Sequence, residues 1–139
     1  MMQTPDPKIF LDTNILLYLL SADIGMADRA ESVLRAGGVI SVQVLNEVTN
    51  VARRKLAMTW MEIDEVLTLI RSVCPVVPLT VETHDKGRII AEQYGMSVYD
   101  AMIAAAALIE GCATLYSEDM QDGLLIDHTL GICNPFKTT

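Results

Sequence analysis

Cysteine and histidine are scarce in this chain, with three of the first and two of the second in 139 residues. Cys74, Cys112 and Cys133 are odd in number, widely spaced and without a CxxC pair, so they suggest neither a disulfide framework nor a thiolate zinc site. They read as small buried hydrophobes. His84 and His128 stand apart from any second ligand at zinc spacing and read as surface or capping residues. Long apolar runs are also missing. The uncharged helical stretches Thr13 to Ala22 and Ala101 to Ile109 fall far below the roughly 20 residues that a bilayer span requires. MMQTPDPKIFLD has an acid before its apolar stretch and another ending it, unlike the positive and then apolar pattern of a secretory leader. A soluble, cytoplasmic protein is expected, with no membrane partner. Basic residues are few as well. Ten Lys and Arg against 18 Asp and Glu leave a net charge of -8, whereas phosphate binding normally leaves a basic footprint.

Apolar residues are plentiful. They make up 51% of the chain, with a mean hydropathy of +0.34, enough to bury the core of one domain spanning residues 1–139. The surplus suits a surface that meets a partner subunit. KIFL reads as a buried strand, NILLYLLSAD and GMADRAESVLRAGG as helices, and GVISVQ as a second strand. VLNEVTNVARRKLA and TWMEIDEVLTLIRSVC follow as helices, the latter opening with Thr59 and Glu62 in capping-box spacing. VCPVVPLT reads as a strand, VETHDKGRIIAEQYG and SVYDAMIAAAALIEG as helices, and ATLYSE and TLGICNP as the last strands. Alternating strands and helices predict a three-layer α/β/α sandwich around a parallel sheet, with the strand beginning at Lys8 near its centre.

Against that frame, five acids stand where strands end or helices begin: Asp12, Glu47, Asp100, Asp119 and Asp122. Open α/β sheets place their ligands at the carboxyl ends of the strands, and Asp12 and Asp119 fall at two such ends. A cluster of carboxylates suits the hard cations Mg²⁺ and Mn²⁺ and suits Zn²⁺ poorly. A metal there lowers the pKa of a bound water and stabilises the leaving oxygen of an in-line displacement, which points to phosphodiester hydrolysis. Of the 18 acids, setting these five aside leaves 13 against 10 bases, a remainder of -3. Each acid also has a plainer reading. Asp12 can cap the helix that follows it, Asp100 can complete a capping box with Ser97, Glu47 can be a solvated helix residue, and Asp119 and Asp122 can be polar loop residues.

The ordered set LDTNILL around Asp12, LNEV around Glu47, YDAMIAA around Asp100 and LYSEDMQD around Asp119 and Asp122 resembles the PIN-domain nucleases, and among them the small VapC-type ribonuclease toxins. The resemblance runs through nearly the whole chain. It implies a Rossmann-like fold, endonucleolytic hydrolysis of RNA, and one or two Mg²⁺ or Mn²⁺ ions. Carried over by position, Asp12 and Asp100 are the core ligands and Asp119 joins them. Glu47 completes the set or orients the attacking water, and Asp122 is more peripheral. Thr13, Asn14 and Ser117 match positions that hydrogen-bond the acids or the scissile phosphate. Relatives often carry an aromatic residue after the acid matched by Asp122, where this chain has Gly123. The resemblance further implies a homodimer and a small antitoxin; the negative charge and apolar surplus suit a partner with an amphipathic helix and a basic segment.

Arg53, Arg54 and Lys55 follow Glu47 by about two helical turns or less and are candidates for steering RNA phosphates; a solvated helix end favoured by the dipole is the plainer reading. Two other metal-assisted α/β classes fit less well. A haloacid dehalogenase phosphatase needs a second aspartate where this chain has Asn14, and a phosphoreceiver domain needs one after a middle strand, where VCPVVPLT has none. A non-catalytic PIN-fold scaffold that binds RNA or protein is the remaining alternative, and the principal acids of this chain are all retained.

Overall fold

The computed structural model describes residues 8–137; most of the stretch that bears on a secretory leader lies outside them. Among the described residues, no helix is long and apolar enough to cross a membrane. A mostly parallel sheet with helices packed around it forms an α/β/α sandwich. Strand β1 (Ile9–Leu11) pairs in parallel with β4 (Thr114–Tyr116), and β4 pairs in parallel with β6 (Leu130–Cys133). The apolar side chains of this group stay dry: Phe10, Leu11 and Leu115 are fully buried. Strands β2 (Ile40–Ser41) and β3 (Val76–Val77) form a separate parallel pair. A Phe10–Val39 bridge links the two groups, with Leu11 N–H donating to Val39 O at 2.9 Å and Val39 N–H to Ile9 O at 2.8 Å. β1 therefore lies between β4 and Val39, in the central position expected of it.

The structure departs from the sequence-based expectation in four places. β5 (Leu125–Ile126) runs antiparallel to β6, so the sheet is not wholly parallel. Its turn carries Asp127 and His128 at φ 50° and 59°, a left-handed conformation that Asp and His tolerate better than most residues. The NILLYLLSAD segment is not one helix but α1 (Thr13–Leu17) followed by a 3-10 turn (Tyr18–Leu20). The GVISVQ strand stops at Ser41, because the Ser41 hydroxyl accepts the Val44 N–H and starts α3 (Val42–Arg54) early. Cys133 is exposed, while Cys74 and Cys112 are buried as expected.

The remaining helices follow their caps. α2 (Ile24–Arg35) starts on Asp23, whose carboxylate accepts the Met26 N–H. α4 (Trp60–Val73) starts on the Thr59–Glu62 capping box, closed by bonds of 2.9 and 3.1 Å. α5 (Val81–Tyr94) ends at Gly95 in a left-handed conformation, the usual way to satisfy terminal carbonyls. α6 (Val98–Ile109) buries an unbroken run from Ala101 to Ala107. Its small side chains let α5 approach so closely that a Cβ on Gly87 would lie 2.7 Å from Met102 Sδ.

The β1–Val39 junction is equally tight. A Cβ on Gly38 would stand 2.6 Å from the Leu11 Cγ, and Leu11 is fully buried, so it has nowhere to swing. Gly38→Ala is expected to destabilise the protein by about 1–3 kcal/mol, the usual cost of overpacking. The reading is a lower urea midpoint at constant m-value. An unchanged midpoint would mean that this junction has slack.

Candidate functional site

The strand register decides where the acids emerge. Leu11 pairs with Tyr116, Asp12 N–H donates to Tyr116 O at 3.0 Å, and Ser117 N–H donates to Cys133 O at 3.0 Å. Asp12 and Ser117 thus leave the sheet side by side. The Asp12 carboxylate is 3% exposed and fully engaged. Its Oδ1 accepts the Thr13 N–H at 2.7 Å, while Oδ2 accepts the Ser117 hydroxyl at 2.7 Å and the Asn14 Nδ2 at 3.1 Å. Capping α1 and facing the cleft are therefore one arrangement, since the cap fixes the carboxylate at the pocket wall. Ser117 Oγ also accepts the Met120 N–H at 3.1 Å, and Asn14 Oδ1 accepts the Glu118 N–H at 3.1 Å. The Tyr18 hydroxyl donates to the Glu118 carboxylate, 2.5 and 2.6 Å from its two oxygens. Together these bonds stitch the loop after β4 to α1.

Asp12, Thr13, Asn14, Glu47, Asp100 and Asp119 line one pocket of about 300 Å³, with Asn50 and Lys55 at its side. Four elements contribute acids: the end of β1, α3, the first turn of α6, and the loop after β4. Glu47 is steadied by Gln43, one turn earlier, whose Nε2 donates to Glu47 Oε2 at 3.2 Å. Asp100 donates its backbone N–H to the Ser97 hydroxyl at 3.2 Å, but its carboxylate does not close a capping box as the Glu62 carboxylate after Thr59 and the Thr83 hydroxyl after Thr80 do. That carboxylate lines the pocket instead.

Two groups of expected site residues are placed differently. Asp122 lies outside the pocket, accepting the Asn134 N–H at 2.8 Å and the Lys137 ammonium at 3.2 Å. Those donors hold its carboxyl below the usual range, and it serves as a tether for the chain after β6. Gly123 beside it has φ 87° with open space where a Cβ would be, so the backbone turn, not crowding, favours glycine here. Among the three basic residues, Arg53 donates to Met58 O at 3.0 Å and lies 5.1 Å from the centre of the Trp60 ring. Arg54 is exposed and outside the pocket wall. Lys55 alone of the three lines the pocket. Sequence reasoning missed Asn50 and Gln43, although helical spacing from Glu47 could have found both. Tyr18 and Glu118 are 100 residues apart and left no local signal.

The electrostatics are those of crowded carboxylates. Burial pushes Asp12 up to about 6, against the opposing pull of the Ser117 and Thr13 bonds, with Asp100 and Asp119 adding repulsion. Burial also raises Glu47, opposed by Gln43 and reinforced by Asp12 and Asp100. Asp100 is raised by burial, eased by Ser97 and raised again by Asp119. The Thr13 hydroxyl is buried and without a hydrogen-bond partner; it stands near enough to Glu47 to ease that group's ionisation without closing a bond. Among the described residues, no three Asp, Glu, His or Cys side chains stand grouped as a ready-made metal cage. The donor set nonetheless fits Mg²⁺ or Mn²⁺: every donor is a hard oxygen, and Mg²⁺ takes one or two carboxylates directly while keeping several waters.

A PIN-domain family model matches residues 9–121, and the chain belongs to the PIN-domain family. Several solved structures share its fold. A toxin–antitoxin complex from Klebsiella pneumoniae is 20% identical with a TM-score of 0.70, the alignment covering 94% of this chain and 99% of that one. VapC20 of Mycobacterium tuberculosis, described as a sarcin-ricin loop cleaving toxin, is 18% identical with a TM-score of 0.67, over 81% of this chain and 90% of that one. VapBC2 of Rickettsia felis, bound to a promoter DNA fragment, is 22% identical with a TM-score of 0.65, over 91% and 97%. No curated protein matches the sequence.

Asp12 supplies a pH signature. Its folded pKa of about 6 lies above the ordinary 3.8, so the folded state binds the proton more tightly than the unfolded chain. Its contribution to stability is present below the unfolded pKa and lost as pH rises from about 4 through 6, on the order of 3 kcal/mol in all. In metal-free protein, Asp12→Asn is therefore expected to raise Tm at pH 7, with the gain shrinking toward pH 4. A Tm at or below wild type across that whole range would mean that the three donors outweigh the burial cost.

Proposed function

We propose that this chain is a metal-dependent endoribonuclease and the toxin of a VapBC-type toxin–antitoxin pair. The observation that carries the reading is the meeting of Asp12, Glu47, Asp100 and Asp119, from four separate elements, on one pocket of a PIN fold. Asp12 and Asp100 are the principal metal-holding groups, Asp119 joins them, and Glu47 orients the attacking water. When bound, Mg²⁺ or Mn²⁺ would polarise the phosphoryl oxygen and lower the pKa of a coordinated water. Ser117 and Asn14 fix the Asp12 carboxylate through Oδ2. The unpartnered Thr13 hydroxyl is buried beside Glu47, a donor placed to support that carboxylate. Lys55, the cation on the pocket wall, steers an incoming phosphate past the acids.

RNA as substrate is supported by the fold shared with VapC20, named for cleaving the sarcin-ricin loop. The antitoxin is supported by the toxin–antitoxin complexes among the structural neighbours. An apolar groove of about 470 Å³ also lies away from the acids, between the 3-10 turn, α2 and α4, where Leu19, Leu34, Val66, Leu69, Ile70 and Val73 face it. Such a groove suits the apolar face of an amphipathic helix, whose basic tail could then reach the carboxylates. Exposed Val81, Ile89 and Ile109 are consistent with a homodimer, and we place the protein in the cytoplasm, where RNA and an antitoxin would meet it.

The test is cleavage of a mixed RNA pool by the purified chain, free of antitoxin, with Mg²⁺ or Mn²⁺ and with EDTA. Asp12→Asn is expected to abolish cutting. Ser117→Ala, which removes the hydroxyl that supports Asp12 and accepts the Met120 N–H, is expected to raise the Mn²⁺ concentration needed by about 10- to 100-fold. Failure of the folded wild-type protein to cut any pool would favour the non-catalytic scaffold. Lys55→Ala is expected to weaken RNA binding and reduce the salt slope by about one, while Arg54→Ala leaves that slope alone. Equal slopes in all three proteins would remove Lys55 from the phosphate path.

A further inference from the structure

A second recess of about 390 Å³ adjoins the acid pocket and shares Glu47 and Asn50 with it; Gln43, Asn46 and Tyr99 complete its lining. Its chemistry differs sharply from that of its neighbour. Gln43, Asn46, Glu47 and Asn50 occupy positions i, i+3, i+4 and i+7 of α3, which is one face of a helix. Three of the four are amides. Across from them Tyr99 is 66% exposed at the start of α6, directly before the pocket acid Asp100. Gln43 is spent on Glu47, whereas the Asn46 and Asn50 amides are joined to no other described residue.

We propose that this recess is a nucleobase subsite, in which a base flanking the scissile phosphate stacks on Tyr99 and is read along its edge by Asn46 and Asn50. The inference rests on the ribonuclease reading above and adds to it the determinant of sequence preference. A phosphate is a poor fit: no cation lines the recess, and Glu47 closes one side of it. A base fits each feature. Unstacked RNA bases are bound by stacking on aromatic rings and by hydrogen bonds to their edges, and an asparagine amide pairs its donor and acceptor with the N6/N7 edge of adenine. Lys55 closes α3 as its C-cap, beyond Glu47 from this recess. A single strand laid along α3 would therefore meet a phosphate site, then the acids, then the base recess. The net charge of -8 places a premium on such uncharged contacts, since few cations are present to hold the backbone.

The experiment uses the full chain with Mn²⁺ and a randomised short single-stranded RNA pool, sequencing the cut ends and measuring kcat and KM on the best sequence. Tyr99→Ala is expected to raise KM about 10-fold or more, in line with the loss of one stacked base, with a much smaller change in kcat. Tyr99→Trp should restore it. Asn46→Ala is expected to flatten the base preference at one position beside the cut, read directly from the sequenced ends. If wild type and both alanine variants cut the same positions with equal KM, the subsite is overturned while the nuclease reading stands. If Tyr99→Ala instead changes only the sedimentation mass, Tyr99 belongs to a protein interface and the proposal also fails. No cutting by wild type would be the failure of the nuclease reading itself.

Discussion

The contact on which the cleft depends is the pair formed by Asp12 and Ser117 at the shared end of β1 and β4. Parallel pairing carries both chains to the same edge, and a buried carboxylate there survives only with donors on both oxygens. Thr13, Asn14 and Ser117 are those donors. Because Asn14 and Ser117 also hold the backbone of Glu118 and Met120, the bonds that stabilise Asp12 also shape the loop that delivers Asp119. Neighbouring carboxylates add to the raised pKa values of Asp12, Glu47 and Asp100, so the pocket is a place where folding free energy is given up.

Helix α3 serves both the core and the cleft through one periodicity. Val44, Val48 and Ala52 are buried, and the turn of about 100° per residue puts Gln43, Glu47 and Asn50 on the cleft side. Its N-terminus is set by Ser41, the last residue of β2, so the sheet position of β2 fixes the height at which Glu47 enters the pocket. Its C-terminal end carries Arg53, Arg54 and Lys55, where the helix dipole favours cations. Packing then separates them: Trp60 and the Met58 carbonyl occupy Arg53, and Lys55 is left at the pocket.

Charge in this protein is distributed by neighbourhood more than by sum. Acids with a cation beside them, such as Asp122 with Lys137 and Asp127 with Lys86, take structural parts. The four pocket acids have no such partner in hydrogen-bond contact, and burial makes the ionised forms of Asp12, Glu47 and Asp100 costly. That contrast distinguishes Asp122 from Asp119, three residues away, although both are exposed aspartates of one loop.

Much was legible from local pattern. The apolar triplet before Asp12, the Thr59–Glu62 box, Gly95 and the alanine-rich face of α6 are short-range signals, and each element they predicted is present. The four acids that line the pocket were singled out less by periodicity than by the ordered set of short strings around them, and Glu47, in the second turn of α3, sits at neither a strand end nor a helix start. What local pattern could not supply was direction in space. Asp122 and Asp119 look alike in sequence, as do Arg53 and Lys55, and only their neighbours across the fold tell them apart. The Tyr18–Glu118 bond and the meeting of the α3 amides with Tyr99 likewise arise from residues distant in the chain. Sequence by itself determined which elements form and where carboxylates leave the sheet, because those depend on a few adjacent residues. Tertiary structure decided which polar groups share a pocket, because that depends on register and packing between segments up to about a hundred residues apart.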